Sequence, residues 1–319
     1  MATSFLNRRT TSFGVLTSLL LFNCRLFTGA ATETNAPAAP NASQTVTLPL
    51  EFNRGHFKVQ ALANGSNSVL LMLDTGFSIS MVDPRLADLL QLRPAGKTTI
   101  NGIAGEERAD VFEGLTLDFA GLPYTPLRVV VLPSDRKKRG RRLEGILGAG
   151  FFRRFIVEID PHGKTVLLRA PKDYQYSGPG EVLAVNLRSS TPVVEASIII
   201  PGREPVRGSF EVDTGCDGGL CLGHDFVEKN NLLQAAGRVQ DGERTGVGGD
   251  AETKVGSVPQ VKLGWLTVDK PEVNFFLKGS PVDRHLAGHI GVEVLRQFKI
   301  IFDYSRRQMI LEPYGSTAK

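Results

Sequence analysis

Cysteine is scarce in this chain: Cys24, Cys216 and Cys221 are the 3 among 319 residues. So few exclude a scaffold built on disulfides. The C-x4-C spacing of the last two, with no second pair, argues against a zinc site. One bridge between Cys216 and Cys221 stays open for a chain that reaches an oxidising compartment. The 5 histidines are scattered and form no H-E-x-x-H, so metal-dependent hydrolysis is unsupported. The absence of G-x-S-x-G speaks against a serine hydrolase. No metal and no cofactor are expected.

Long apolar runs are also missing. Phe13 to Phe22 is too short to span a bilayer as a helix, and no later stretch is long and apolar enough. With Arg8 and Arg9 before that run and Thr28-Gly29-Ala30-Ala31 after it, residues 1–31 read as a secretory signal cleaved near Ala30-Ala31. The expected location is secreted or periplasmic, without stable membrane insertion after signal removal. An uncleaved membrane anchor is the alternative; lipid attachment at Cys24 and twin-arginine export fit the flanking residues poorly. Setting aside Arg8, Arg9 and Arg25 leaves 34 basic against 33 acidic residues. Such a near-neutral body gives little reason for a polyanionic partner, and nucleic-acid binding lacks aromatic or groove-reading elements. The dense basic run Arg136 to Arg142 reads as a solvated loop, with a proteolytic nick site or an anionic contact as the sharper reading.

What is present begins with β signals. Hydrophobic residues at 41% and charged residues at 22% allow a sizeable core. After a flexible linker at residues 32–45, Phe57 to Leu62 alternates like a half-buried strand. Ser68 to Leu73, Val129 to Leu132 and Ile198 to Ile200 read as further strands. Helical patterns are few; Asp83-Pro84 followed by Leu86, Leu89 and Leu90 predicts one capped helix of about two turns.

The chain also repeats itself. Leu73-Asp74-Thr75-Gly76 returns 139 positions later as Val212-Asp213-Thr214-Gly215. Gly102-Ile103-Ala104-Gly105 returns at 144 as Gly246-Val247-Gly248-Gly249, and Gly145-Ile146-Leu147-Gly148 at 143 as Gly288-His289-Ile290-Gly291. Arg153, Phe155, Asp160 and Leu168 match Arg296, Phe298, Asp303 and Leu311 at the same 143. Four blocks in one order at nearly constant offset predict an internally duplicated fold, the drift being loop insertions. The expected domains are an N-terminal lobe at 46–171, a connector at 172–180, a C-terminal lobe at 181–313 and a tail at 314–319.

A single Asp-Thr-Gly is most simply a turn. Two copies, each ending a β run at the same place in a repeat, carry chemistry. Quasi-twofold symmetry would bring Asp74 and Asp213 together across a cleft. Two carboxylates about 3 Å apart repel by about 5 kcal/mol at an effective dielectric near 20, which separates the two ionisations of the pair by roughly four pKa units. The pair then holds one proton over a wide acidic range. Its ionised member can take a proton from water and its protonated member can donate to a carbonyl oxygen. Thr75 and Thr214 can bond across the lobes, and Gly76 and Gly215 let backbone amides reach the carboxylates.

These motifs resemble the clan of pepsin-like and retropepsin-like aspartic peptidases, in a single-chain duplicated form similar to secreted bacterial members. The resemblance covers nearly all of Val46 to Pro313. It implies an all-β, two-lobed acid-protease fold with a short helix in each lobe, and an aspartic endopeptidase that works as a monomer on peptide or protein substrates. It also implies a hydrophobic-hydrophobic-Gly segment beneath each catalytic loop. Ile146-Leu147-Gly148 fits; His289-Ile290-Gly291 departs from it, and a buried, satisfied imidazole is the expectation for His289. Glycine-rich tips in both lobes, Gly102, Ile103, Ala104 and Gly105 and then Gly246, Val247, Gly248 and Gly249, imply two substrate-binding flaps, as in retropepsin-like dimers. The second tip lacks the Lys-Ser/Thr and the strand–loop–helix setting of a phosphate loop. Phe77 and Cys216 stand where members of the clan carry Ser, Thr or Ala, so no hydroxyl supports the outer carboxylate oxygens. A dyad less acidic than in pepsin-like enzymes is expected, with activity at mildly acidic or near-neutral pH. Cys216 and Cys221 are expected to pack as small apolar residues, since a nucleophilic thiol wants a nearby histidine. The alternative function is a non-catalytic protein of the same fold that binds peptides or cell-envelope ligands.

Overall fold

Alternation dictates most of the strands. Thr45–Pro49 buries Val46 and Leu48, and His56–Ala63 buries Phe57, Val59, Ala61 and Ala63, every second residue facing the core. The computed structural model describes residues 45–132, 144–172, 174–188, 190–280 and 285–315. The expected signal, most of the linker and the basic run Arg136 to Arg142 lie outside the described residues.

Two large sheets share one strand order. The first runs Arg93–Gly102, Gly105–Glu113, Val129–Val131, Ser80–Val82, Glu144–Leu147, Asn67–Leu73, His56–Ala63, Leu117–Phe119 and Leu122–Tyr124. The second runs Gln240–Gly246, Gly249–Ser257, Glu272–Phe276, Leu220–Leu222, Gly288–Ile290, Val206–Val212, Thr191–Ile199, Gln260–Leu263 and Leu266–Asp269. Each is 10-stranded, completed by a short strand, Glu51–Asn53 or Asn186–Arg188, off its main path. The protein is thus mainly β, with two large β bodies.

A third sheet of 6 strands draws on both halves: Thr45–Pro49, Thr165–Arg169 and Ile156–Asp160 are followed by Phe298–Asp303, Gln308–Pro313 and Glu181–Ala184. The central pair, Ile156–Asp160 with Phe298–Asp303, joins equivalent segments of the repeat antiparallel, with Val157 opposite Phe302 and Ile159 opposite Ile300.

The helices are short. Pro84–Leu89 starts as expected, with Asp83 accepting from the Arg85 amide and Pro84 in the first turn. Its buried face is Pro84, Leu86 and Ala87, while Leu89 is exposed because six residues turn only one stripe inward. Ala149–Arg154 and Val292–Leu295 follow Gly148 and Gly291 at equivalent places; the resemblance implies a short helix in each lobe, but the residue pattern does not locate these two, each being too short to show a helical period. Phe151 of the first packs against Phe119 and Phe155 at 5.2 Å in the core below the first sheet. Among the described residues no helix is long and apolar enough to cross a membrane.

Candidate active site

Each Asp-Thr-Gly follows a buried strand. Asn67–Leu73 delivers Asp74 and Val206–Val212 delivers Asp213. The neighbouring parallel strand catches each loop: the Asp74 amide donates to the Leu147 carbonyl at 3.1 Å, and the Asp213 amide to the Ile290 carbonyl at 2.9 Å. The two repeated segments ending in Gly148 and Gly291 therefore lie directly beneath the loops. At Gly148 a side chain would strike the Phe77 and Ile79 carbonyls, and at Gly291 those of Cys216 and Gly218.

The loops are bound to each other by a reciprocal network. The Thr75 hydroxyl donates to the Val212 carbonyl at 2.7 Å and accepts from the Thr214 amide at 3.0 Å. The Thr214 hydroxyl donates to the Leu73 carbonyl at 2.7 Å and accepts from the Thr75 amide at 3.0 Å. Both threonines are fully buried, where such bonds count most because no water replaces them.

This network brings Asp74 and Asp213 into hydrogen-bonding contact. Each also accepts a backbone amide of its own loop, Gly76 to Asp74 Oδ1 at 2.9 Å and Gly215 to Asp213 Oδ1 at 2.8 Å. The glycines have a second function. A β-carbon on Gly76 would collide with the Asp213 carboxylate, and one on Gly215 with that of Asp74. Burial, then the charge of Asp213, hold Asp74 well above the usual carboxylate range. The pair therefore retains a proton into less acidic solution.

A cavity of about 310 Å³ opens over the carboxylates. Two hairpins lie above it, Arg93–Gly102 with Gly105–Glu113 and Gln240–Gly246 with Gly249–Ser257. Their tips, Ile103-Ala104 and Val247-Gly248, meet: the Ala104 amide donates to the Val247 carbonyl at 3.4 Å, and the backbone of Gly248 abuts that of Gly105. Gly248, at φ 89°, takes the left-handed conformation the turn needs and leaves no room for a side chain.

The lobes differ beneath the dyad. In the first sheet Val130, Met81, Ile146 and Met72 lie side by side on four neighbouring strands. In the second the same row is Asn274, Cys221, His289 and Glu211. An apolar row has become a polar one. His289 is buried, as expected, and its partner is the dyad itself: Nδ1 lies 3.1 Å from Asp213 Oδ2, and Nε2 lies 3.8 Å from Glu211 Oε1. Where a hydroxyl was missed at Cys216, this imidazole supports the outer oxygen of Asp213. Burial lowers the affinity of His289 for its proton, but the charges of Asp213 and Glu211 and a hydrogen bond with Cys216 raise it to about 9.

The two cysteines pack as expected, in a small apolar cluster with Phe276 against Ile103 and Ala251. Both are free and buried, with Sγ atoms 3.5 Å apart. Cys216 has polar neighbours as well, because the loop after Asp213 brings it into hydrogen-bonding contact with His289. The hydrogen bond with Cys221, with help from His289, draws the Cys216 thiol down to about 5 against the effect of burial. The hydrogen bond with Cys216, and then burial, push the Cys221 thiol far up. Arg244 reaches over from the second hairpin, pairing with Asp217 and lying 3.9 Å from Cys216 Sγ.

Sequence reasoning did not single out Glu211, Arg244 or His56, whose Nε2 is 3.0 Å from the Gly215 carbonyl. For Glu211 a signal existed, since both Met72 and Ile146 lose their apolar character together in the second copy. His56 and Arg244 had none, because their contacts cross between elements. Among the described residues no group of His, Cys, Asp and Glu has an arrangement that could hold a metal ion.

No curated protein matches the chain. Residues 59–151, which contain Asp74, the first hairpin tip and Ile146-Leu147-Gly148, match a family model described as aspartyl protease, and this supports a hydrolase of the aspartyl protease kind.

Proposed function

We propose that the protein is an aspartic endopeptidase in which Asp74 and Asp213 activate a water molecule against a peptide bond. The observation that carries this reading is the contact between the two carboxylates, one from each half of the repeat, at the floor of a cleft roofed by two hairpins. Carboxylates held this close share one proton. The charged member accepts a proton from the attacking water while the neutral member donates to the carbonyl oxygen, so no metal is required. The hairpin tips, Gly102 to Gly105 and Gly246 to Gly249, would part to admit an extended peptide and then close on its backbone. The substrate is a peptide or protein, and the working form is a monomer, since one chain supplies both carboxylates. Export to an oxidising compartment or the periplasm fits the reading of the N-terminal sequence.

The test is cleavage of casein and of a peptide library by the protein freed of residues 1–31. Asp74→Asn and Asp213→Asn should each lower kcat/KM by about 10²–10⁴-fold while the circular dichroism spectrum is retained. Cleavage by the wild type that persists undiminished in both variants would refute the mechanism. No cleavage between pH 3 and 8 would favour a peptide-binding protein of this fold.

A further inference from the structure

The two halves place their carboxylates alike but surround them differently, and the difference is electrical. Next to Asp74, the neighbouring strand and the strand that delivers Asp74 carry Ile146 and Met72, paired in register and apolar. Next to Asp213, the same two places hold His289 and Glu211, again paired in register. An imidazolium 3.1 Å from Asp213 Oδ2 stabilises charge on that carboxylate and does little for Asp74, which has no cation at the matching place. Glu211, with Oε1 3.8 Å from His289 Nε2, stabilises charge on the imidazole from its other side. Thr191 in turn orients Glu211, its hydroxyl donating to Oε2 at 3.0 Å. Two thiols also adjoin the ring, Cys216 from the loop after Asp213 and Cys221 from the adjoining strand Leu220–Leu222, and Arg244, Asp217, Asp74 and His56 line the same cavity. A thiolate at Cys216 would favour the imidazolium too.

In an isolated symmetric dyad the proton has no preferred side. We propose that the Glu211–His289 pair holds Asp213 as the charged member, so that Asp213 is the base toward water and Asp74 the acid toward the substrate carbonyl. This rests on the peptidase reading above and adds to it a direction. His289 is a positioning residue: it touches a reacting carboxylate through its outer oxygen and sets where the shared proton resides. The direction has a structural corollary. Substrate must bind with its carbonyl oxygen on the Asp74 side, so the two ends of the cleft are not interchangeable although the fold is nearly twofold.

Two measurements test this. The first is the pH profile of kcat/KM for His289→Ile, which copies the first lobe, and His289→Gln, which keeps a hydrogen-bond donor but not the charge. Loss of the cation should move the acidic limb up by about 1–3 pH units in both variants. Limbs that stay in place while the rate merely scales would reduce His289 to packing and overturn the proposal. The second is independent of catalysis. NMR titration of the imidazole C–H signals, with His289 assigned by its loss in His289→Gln, should show a midpoint above the ordinary imidazole value that falls in Glu211→Gln and in Asp213→Asn. A midpoint at or below the ordinary value, or one indifferent to both substitutions, overturns the proposal whether or not any peptide is cut. A wild type that cuts no peptide yet shows the raised midpoint would refute the peptidase reading and the acid and base roles while retaining the charged pair.

Discussion

Gly76 and Gly215 each sit against the carboxylate contributed by the opposite lobe, and this makes them more than turn formers. Glycine there sets the distance between Asp74 and Asp213, because a single methyl group would occupy the space of a carboxylate oxygen. We expect Gly76→Ala to force the two apart. Misplacement of a reacting group by about 1 Å costs on the order of 10²-fold in rate, and overpacking a filled site costs about 1–3 kcal/mol. Kinetics with urea denaturation would check both. Full activity in Gly76→Ala would mean that the carboxylates do not need this contact. Cys216 shows the limit of reading residue types alone. Its small size suggested packing, and it does pack beside Cys221 and Phe276, but His289 and Arg244 also lie against its sulfur.

At the scale of elements, the interlocked threonines tie two strands that lie 139 positions apart in sequence. Thr214→Val would keep the shape and delete the hydroxyl, leaving the Thr75 amide and the Leu73 carbonyl without partners in a buried setting. Each such group costs about 1–3 kcal/mol. By the symmetry of the network Thr75→Val should cost a similar amount, through the Thr214 amide and the Val212 carbonyl. Urea midpoints for both variants test the point: unequal losses would show that one lobe, not the network, carries the stability. The hairpins behave differently. Arg93–Gly102 and Gln240–Gly246 are largely exposed along their length and gain their order near the tips, where Ile103 and Val247 find apolar and backbone contacts in the other lobe. Elements with little buried area open at low cost, which the proposed peptide-binding role would require.

For the whole molecule, proton linkage follows from the asymmetric dyad surroundings. Asp74 and His289 bind protons more tightly folded than unfolded. Their stabilisation is complete below the unfolded values, for His289 near 6.5, and is lost as pH rises through the folded values, for His289 about 9. Cys216 has the opposite sign. Its folded value of about 5 lies below the ordinary 9, so its contribution is present above 9 and is lost as pH falls through 5. Between about pH 6.5 and 9 the proton held by His289 and the one released by Cys216 offset each other. We therefore expect Tm to fall more steeply over that interval in Cys216→Ala than in the wild type. Calorimetry at closely spaced pH values would show this, and parallel curves would contradict the assigned charges.

Much of this was legible in the sequence for a simple reason. Strand alternation, the Asp-Thr-Gly repeat and the offsets of 139 to 144 are properties of residue order, and a period of two needs no knowledge of neighbours. Residue order also nominated Asp74 and Asp213, because a motif that recurs at one place in a repeat points to one shared site. It did not reveal the six-residue helix Ala149–Arg154, too short to express a period, nor the shared six-stranded sheet, whose central pairing joins segments more than a hundred residues apart. Above all it could not reveal what Glu211, His289 and Cys216 do together. Each occupies a position that reads singly as core, and only the sheet register for Glu211 and His289, and the fold of the loop after Asp213 for Cys216, set the three around one carboxylate. Local patterning determined the strands and the repeated motifs. Tertiary packing decided the electrostatics, because charge interactions depend on distance through space and not on separation along the chain.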